Sequence, residues 1–142
     1  MAPKDPNQKG RAQPLFARRG KALLVDENPE GLHYYCNIVE GCGYQVRACP
    51  SYQEAVYCLG SEVFDFVMVS QGSRNFEGRC VLERATEIDR RLPVLVVARC
   101  LDMGCYLEAM QLGAVDYLAE PVTVSEIGRV LGNHPPIRSE TA

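Results

Sequence analysis

Five short apolar runs recur along this chain, each followed by a longer stretch with apolar residues three and four apart. The runs are Lys21-Ala22-Leu23-Leu24-Val25, Tyr44-Gln45-Val46-Arg47-Ala48, Phe64-Asp65-Phe66-Val67-Met68-Val69, Val94-Leu95-Val96-Val97-Ala98 and Asp116-Tyr117-Leu118-Ala119. Their length and β-branched content mark them as strands, most of them buried on both faces. Strands alternating with helices predict a parallel sheet covered by helices on both sides. Right-handed crossovers leave few topologies. In such sheets, chemistry gathers at the carboxyl ends of the strands, beside the point where strand order reverses. Those ends are Asp26-Glu27, Ser70, Ala98-Arg99 and Glu120.

The intervening helices carry their own start and stop signals. Asn28 can cap a helix, Pro29 suits its first turn and Glu30 suits the positive end of its dipole. Leu32, Tyr35, Cys36 and Val39 follow at helical spacing, and Gly41 and Gly43 end the helix. Ser51 caps a second helix containing Ala55, Val56 and Leu59. Ser70 to Gly78 reads as a loop. Val81, Leu82, Ala85 and Ile88 mark a third helix, Leu101 to Leu112 a fourth, and Thr123 to Leu131 a fifth.

Charge divides the chain. Residues 1–19 hold five basic side chains against Asp5 and predict a disordered basic tail, whereas residues 21–132 hold sixteen acidic and nine basic ones. The folded unit is therefore expected over 20–132, with a second tail over 133–142. An acidic body gives no reason to expect nucleic-acid binding by the core. No apolar run is long enough to span a membrane and no secretory signal opens the chain, so a cytoplasmic location is expected. Seven cysteines stand at 36, 42, 49, 58, 80, 100 and 105. No Cys-x-x-Cys pair occurs and His33 and His134 lie far apart, which argues against zinc. Most of these thiols sit among apolar residues and read as packing.

Read together, these segments resemble the receiver domain of two-component response regulators. Leu24-Val25-Asp26-Glu27-Asn28 is similar to the acidic end of the family's first strand, and Gly43-Tyr44-Gln45-Val46 to the entry of its second. Phe64 to Val69 resembles its third strand. Gly78 falls eight residues after Ser70, as the loop glycine falls after the family's acceptor. Pro93 to Val97 resembles the fourth strand, and Gly113-Ala114-Val115-Asp116-Tyr117-Leu118 with Pro121 the approach to the fifth. The resemblance covers residues 20–132. It implies a flavodoxin-like (βα)5 fold, a doubly wound parallel sheet of five strands in the order 2-1-3-4-5.

The resemblance also implies a site that lacks its working parts. The family's acceptor aspartate falls at Ser70, a neutral hydroxyl that is a poor metal ligand and has no base to activate it. The hydroxyl that bonds the phosphoryl oxygen falls at Ala98, which cannot donate. The lysine that neutralises the phosphoryl charge falls at Glu120. A carboxylate there would repel a phosphoryl group at about 4 Å by about 4 kcal/mol at intermediate dielectric. Asp26, Glu27, Ser70, Ala98 and Glu120 thus form a degenerate phosphorylation pocket, that of an atypical pseudo-receiver. Tyr117 falls at the switch aromatic and is expected to hold one rotamer, since Ala98 cannot be drawn to a phosphate.

Three functional readings remain. The first is phosphorylation-independent binding of a signalling protein, or of a second copy, through the fourth helix, fifth strand and fifth helix, including Met103, Tyr106, Met110, Tyr117 and Val122 to Leu131. The second is sensing of a divalent metal or small ligand by Asp26, Glu27 and Glu120; solvation, or pairing with Arg99 or Arg74, is the competing account of these carboxylates. Magnesium is the only cofactor to consider, and none is expected. The third is thiol-redox sensing at Cys100 and Cys105, which needs exposure and a depressed pKa. No nucleophile–base pair or phosphate-cradling Gly-x-x-x-x-Gly-Lys loop appears, so an enzyme is not expected. The acidic Asp26-Glu27-Asn28-Pro29 loop speaks against flavin mononucleotide.

Overall fold

A computed structural model describes residues 20–136. The expected tail over 1–19 and the end of the chain from 137 onward lie outside the described residues. Five strands alternate with five helices: β1 (Gly20–Val25), α1 (Pro29–Gly41), β2 (Tyr44–Cys49), α2 (Tyr52–Ser61), β3 (Phe66–Ser70), α3 (Arg79–Ile88), β4 (Val94–Ala98), α4 (Met103–Gln111), β5 (Asp116–Ala119) and α5 (Val124–Asn133). All strand pairs are parallel and the order is 2-1-3-4-5.

The strand sequences explain their places. β4, Val94-Leu95-Val96-Val97-Ala98, is buried throughout, as a central strand covered on both faces must be. β2 and β5 at the edges expose part of their length. Alternate residues of β1 serve opposite sides. Leu23 and Val25 join a core with residues of α2, α3 and α4, whereas Ala22 and Leu24 pack with residues of α1 and α5. Two helices therefore cover one face and three the other.

The caps follow the sequence signals. Asn28 accepts the Glu30 N–H at 3.0 Å, and Ser51 accepts the Glu54 N–H at 3.2 Å. Thr123 and Glu126 form a reciprocal capping box at α5. Several boundaries move by a residue or two, α5 running to Asn133 and so one residue into the expected tail, and two of the shifts have a visible cause. β3 begins at Phe66 because Asp65 turns its carboxylate inward and accepts the Lys21 N–H at 2.8 Å, while its own N–H donates to the Lys21 carbonyl at 2.7 Å. Gly20, with φ of 135°, packs against that carboxylate, where any side chain would collide. α4 begins only at Met103, because Asp102 caps it by accepting the Cys105 N–H at 3.0 Å.

Candidate functional site: the strand-end pocket

β1, β3, β4 and β5 end side by side, so the topology itself gathers the residues that the sequence singled out. Asp26 follows β1, Ser70 ends β3, Ala98 ends β4 and Glu120 follows β5. Asp26, Glu27, Ser70, Arg99 and Glu120 line one open pocket of about 330 Å³, with Asn28, Tyr52, Gly72, Ser73 and Glu77 completing its walls. Ala98 is buried beneath this rim.

The acidic half of the pocket is built on the start of α1. Asp26 accepts the Asn28 N–H at 2.9 Å. Burial pushes the Asp26 carboxyl above its ordinary value of 3.8, and the charge of Glu120 adds to the effect. The Asn28 N–H and the Arg99 charge oppose the rise. Glu120 accepts the Tyr35 hydroxyl at 2.9 Å, and burial together with that carboxylate raises the Tyr35 phenol. Arg74 points elsewhere and pairs with Asp102 at 3.7 Å, which corrects its expected pairing with the acidic cluster.

Ser70 is occupied by local partners. Its hydroxyl accepts the Gly72 N–H at 3.3 Å and meets the hydroxyl of Tyr52. Tyr52 is buried at the first turn of α2, and burial lifts its phenol to about 12. The loop beyond is tied down by Glu77, which accepts both the N–H and the hydroxyl of Ser73. These bonds hold the Glu77 carboxyl below its usual value. Phe76 tucks under this loop, buried, with φ of 57°.

The donor set fits a magnesium ion poorly. Ser70 offers a neutral hydroxyl where a hard cation wants a carboxylate, and Glu120 is engaged by Tyr35. Among the described residues no three His, Cys, Asp or Glu side chains gather closely enough to hold a metal.

The switch half is neutral. Tyr117 is 6% exposed and lies inward. Its hydroxyl donates to the Gln71 side-chain carbonyl and accepts the Asp102 N–H at 3.2 Å. Tyr106 stacks edge-on against it with ring centroids 5.5 Å apart. Gln71, itself buried, passes the chain on through its Nε2 to the Ser73 carbonyl at 3.1 Å. Tyr117 therefore belongs to the interior, which corrects its place among the surface residues of an interaction face.

The same correction applies to Val122, Ile127, Val130 and Leu131, all of which are buried. The apolar side chains that do face outward nearby are Leu101, Met103, Leu107 and Met110 around α4, and Val124 on α5. Leu101 and Leu107 were not singled out by spacing. Cys105 is buried and burial raises its thiol, so it has neither the exposure nor the depressed pKa expected of it from the sequence; Cys100 is exposed.

Sequence reasoning also missed Gln71, Tyr35 and Tyr52. The available signal was a rule about burial: a tyrosine on an apolar stripe needs a partner for its hydroxyl.

The model of the response regulator receiver domain matches residues 22–131. The chain belongs to this family. It is a receiver domain of two-component signalling. It is 28% identical over 123 residues to the sensor protein GacS of Pseudomonas syringae pv. syringae, covering 83% of this chain and 14% of that protein. It is 28% identical over 107 residues to the virulence transcriptional regulatory protein PhoP of Salmonella typhimurium, covering 75% and 48%. The receiver thus spans half or less of the length of these curated relatives. Among solved structures, the CheY-like receiver domain protein of Methanospirillum hungatei JF-1 superposes with a TM-score of 0.74 at 19% identity, covering 85% of this chain and 94% of that one. A receiver domain of Clostridium thermocellum gives 0.74 at 22%, covering 85% and 96%. At these identities the likeness establishes the flavodoxin-like fold.

Proposed function

We propose that this receiver acts without phosphorylation, as a protein-binding module of a signalling pathway and not as an enzyme. The observation that carries the reading is the Tyr117 hydroxyl, held inward by the buried Gln71 amide and by the Asp102 N–H. In an ordinary receiver the inward ring is what phosphorylation brings about. Here Gln71 supplies the differential contact that a phosphate would otherwise provide through the strand-four hydroxyl. Ser70, Ala98 and Glu120 stand where the family's acceptor aspartate, hydroxyl donor and lysine would be, and magnesium has no place in the working of the pocket.

The partner surface is the outer side of α4, where Leu101, Met103, Leu107 and Met110 are exposed together. A protein partner with an apolar face is the expected occupant, and a second copy of this chain is the alternative. Free thiols at all seven cysteines favour a reducing compartment, the cytoplasm.

An amide chemical-shift titration tests the pocket, first with magnesium and then with magnesium plus beryllofluoride. No movement near Asp26, Ser70, Tyr117 or Glu120 is expected. A beryllofluoride-dependent shift that reaches Tyr117 would overturn the reading. A shift with magnesium alone would instead favour the metal sensor. Leu107→Glu tests the surface by sedimentation velocity and partner binding: it should weaken association at least tenfold while leaving the melting temperature nearly unchanged. Unaltered association would place the surface elsewhere.

A further inference from the structure

Two thiols that the pocket does not use lie side by side on its α2 flank. Cys49 closes β2 and Cys58 sits in α2, with their sulfurs 3.8 Å apart. Both are in the core, 0% and 1% exposed. Neighbouring groups make the two sulfurs unequal. The Arg47 guanidinium lies near enough to the Cys58 sulfur for the two to interact electrostatically, and it pairs with Glu62 at 3.1 Å. Burial and the contact with Cys58 push the Cys49 thiol up to about 12.

We propose that Cys49 and Cys58 are a dithiol–disulfide couple, oxidised by peroxides, that ties the end of β2 to α2. The Cys58 sulfur gives up its proton and attacks a peroxide oxygen, the O–O bond breaks, and the departing hydroxide takes up that proton and leaves as water, giving a sulfenic acid. The Cys49 sulfur then attacks the Cys58 sulfur, the S–O bond breaks, and the hydroxide departs as water with the Cys49 proton. The sum is two thiols and hydrogen peroxide giving one disulfide and two waters. A disulfide is about 2.05 Å long, so rotation at the two cysteines must bring the sulfurs together by less than about 2 Å. Their burial makes the rate that of a local opening of α2.

The consequence reaches the pocket through the chain between the two cysteines. That segment holds Ser51, which caps α2, and Tyr52, whose hydroxyl covers Ser70. The bridge pins this cover in place, whatever use the pocket is put to.

Trypsin provides a direct test, because the peptide Ala48 to Arg74 contains Cys49 and Cys58 and no other cysteine. The full chain is treated with graded hydrogen peroxide, denatured, alkylated with iodoacetamide, digested without reductant and weighed. The peptide should appear two hydrogens lighter and free of alkyl groups, and dithiothreitol should restore two alkylation sites. The oxidised protein should melt about 3 °C higher, reversibly. Full alkylation of both sulfurs at a dose that has oxidised the exposed Cys100 would overturn the proposal. So would conversion of either sulfur to a sulfinic acid without the bridge. Arg47→Gln, followed on the longer peptide Ala22 to Arg74 with the bridge located by fragmentation, should slow bridge formation several-fold; an unchanged rate would overturn the assignment of Cys58 as the attacking thiol.

Discussion

Two tyrosine hydroxyls, one on each side of the pocket, show how differently its halves are held. Tyr35 donates to Glu120, a carboxylate that remains in contact with water. Tyr117 donates to Gln71, a buried amide, and accepts a backbone N–H as well. In the acidic half, every bond competes with solvation and with the mutual repulsion of Asp26 and Glu120. In the switch half the Tyr117 hydroxyl and both ends of the Gln71 amide have protein partners, and both side chains are buried. The first half is open to solvent, and its Asp26 carboxyl is held above its ordinary value. The second is almost closed to solvent.

Removing the switch ring altogether should produce the largest effect. Tyr117→Ala should cost about 3–5 kcal/mol in urea unfolding, from lost burial and the cavity left behind. Paired phenylalanine substitutions sharpen the contrast, because each deletes one oxygen. Tyr117→Phe should cost about 1–3 kcal/mol, since the buried Gln71 carbonyl loses its donor. Tyr35→Phe should cost about 0.5–1 kcal/mol, since water can take over at Glu120. Equal costs would break the distinction between the halves.

Asp26→Asn should have the smallest effect and the opposite sign. A carboxyl whose folded pKa is raised binds its proton more tightly in the folded chain. Its favourable contribution is complete below 3.8 and is lost as pH rises through the folded value. The variant should therefore be more stable than the parent at pH 7, by less than about 1 kcal/mol, and the gain should vanish near pH 3. Thermal melts across that range measure it. A gain that persists at pH 3 would mean that burial of the side chain, not its charge, sets the difference.

Fold and site were not equally legible in the sequence. The sheet could be read because apolar runs and caps are local signals, and Asn28 and Ser51 cap where spacing placed them. β3 was read two residues too long because the Asp65 carboxylate takes up the Lys21 N–H, an exchange between distant segments. The gathering of Asp26, Ser70 and Glu120 was legible, because parallel strands in one sheet bring their ends together. The partners of Tyr35, Tyr52 and Tyr117 were not, because they depend on the direction of side chains from different elements. The contact between Cys49 and Cys58 was hidden for the same reason, and apolar neighbours made both look like ordinary packing.

Gly78 shows what the fold requires independently of any reaction. A β-carbon there would land on the Ser70 carbonyl oxygen and within 3.1 Å of Val69 Cγ2, and the Gly78 N–H donates to the Gln71 carbonyl at 3.1 Å. The requirement for glycine is imposed by the main chain alone, whatever side chain stands at position 70. A genome census that counts this glycine as a mark of a working phosphoacceptor would therefore count architecture. The residues that carry information about signalling chemistry are the ones the backbone leaves free to vary.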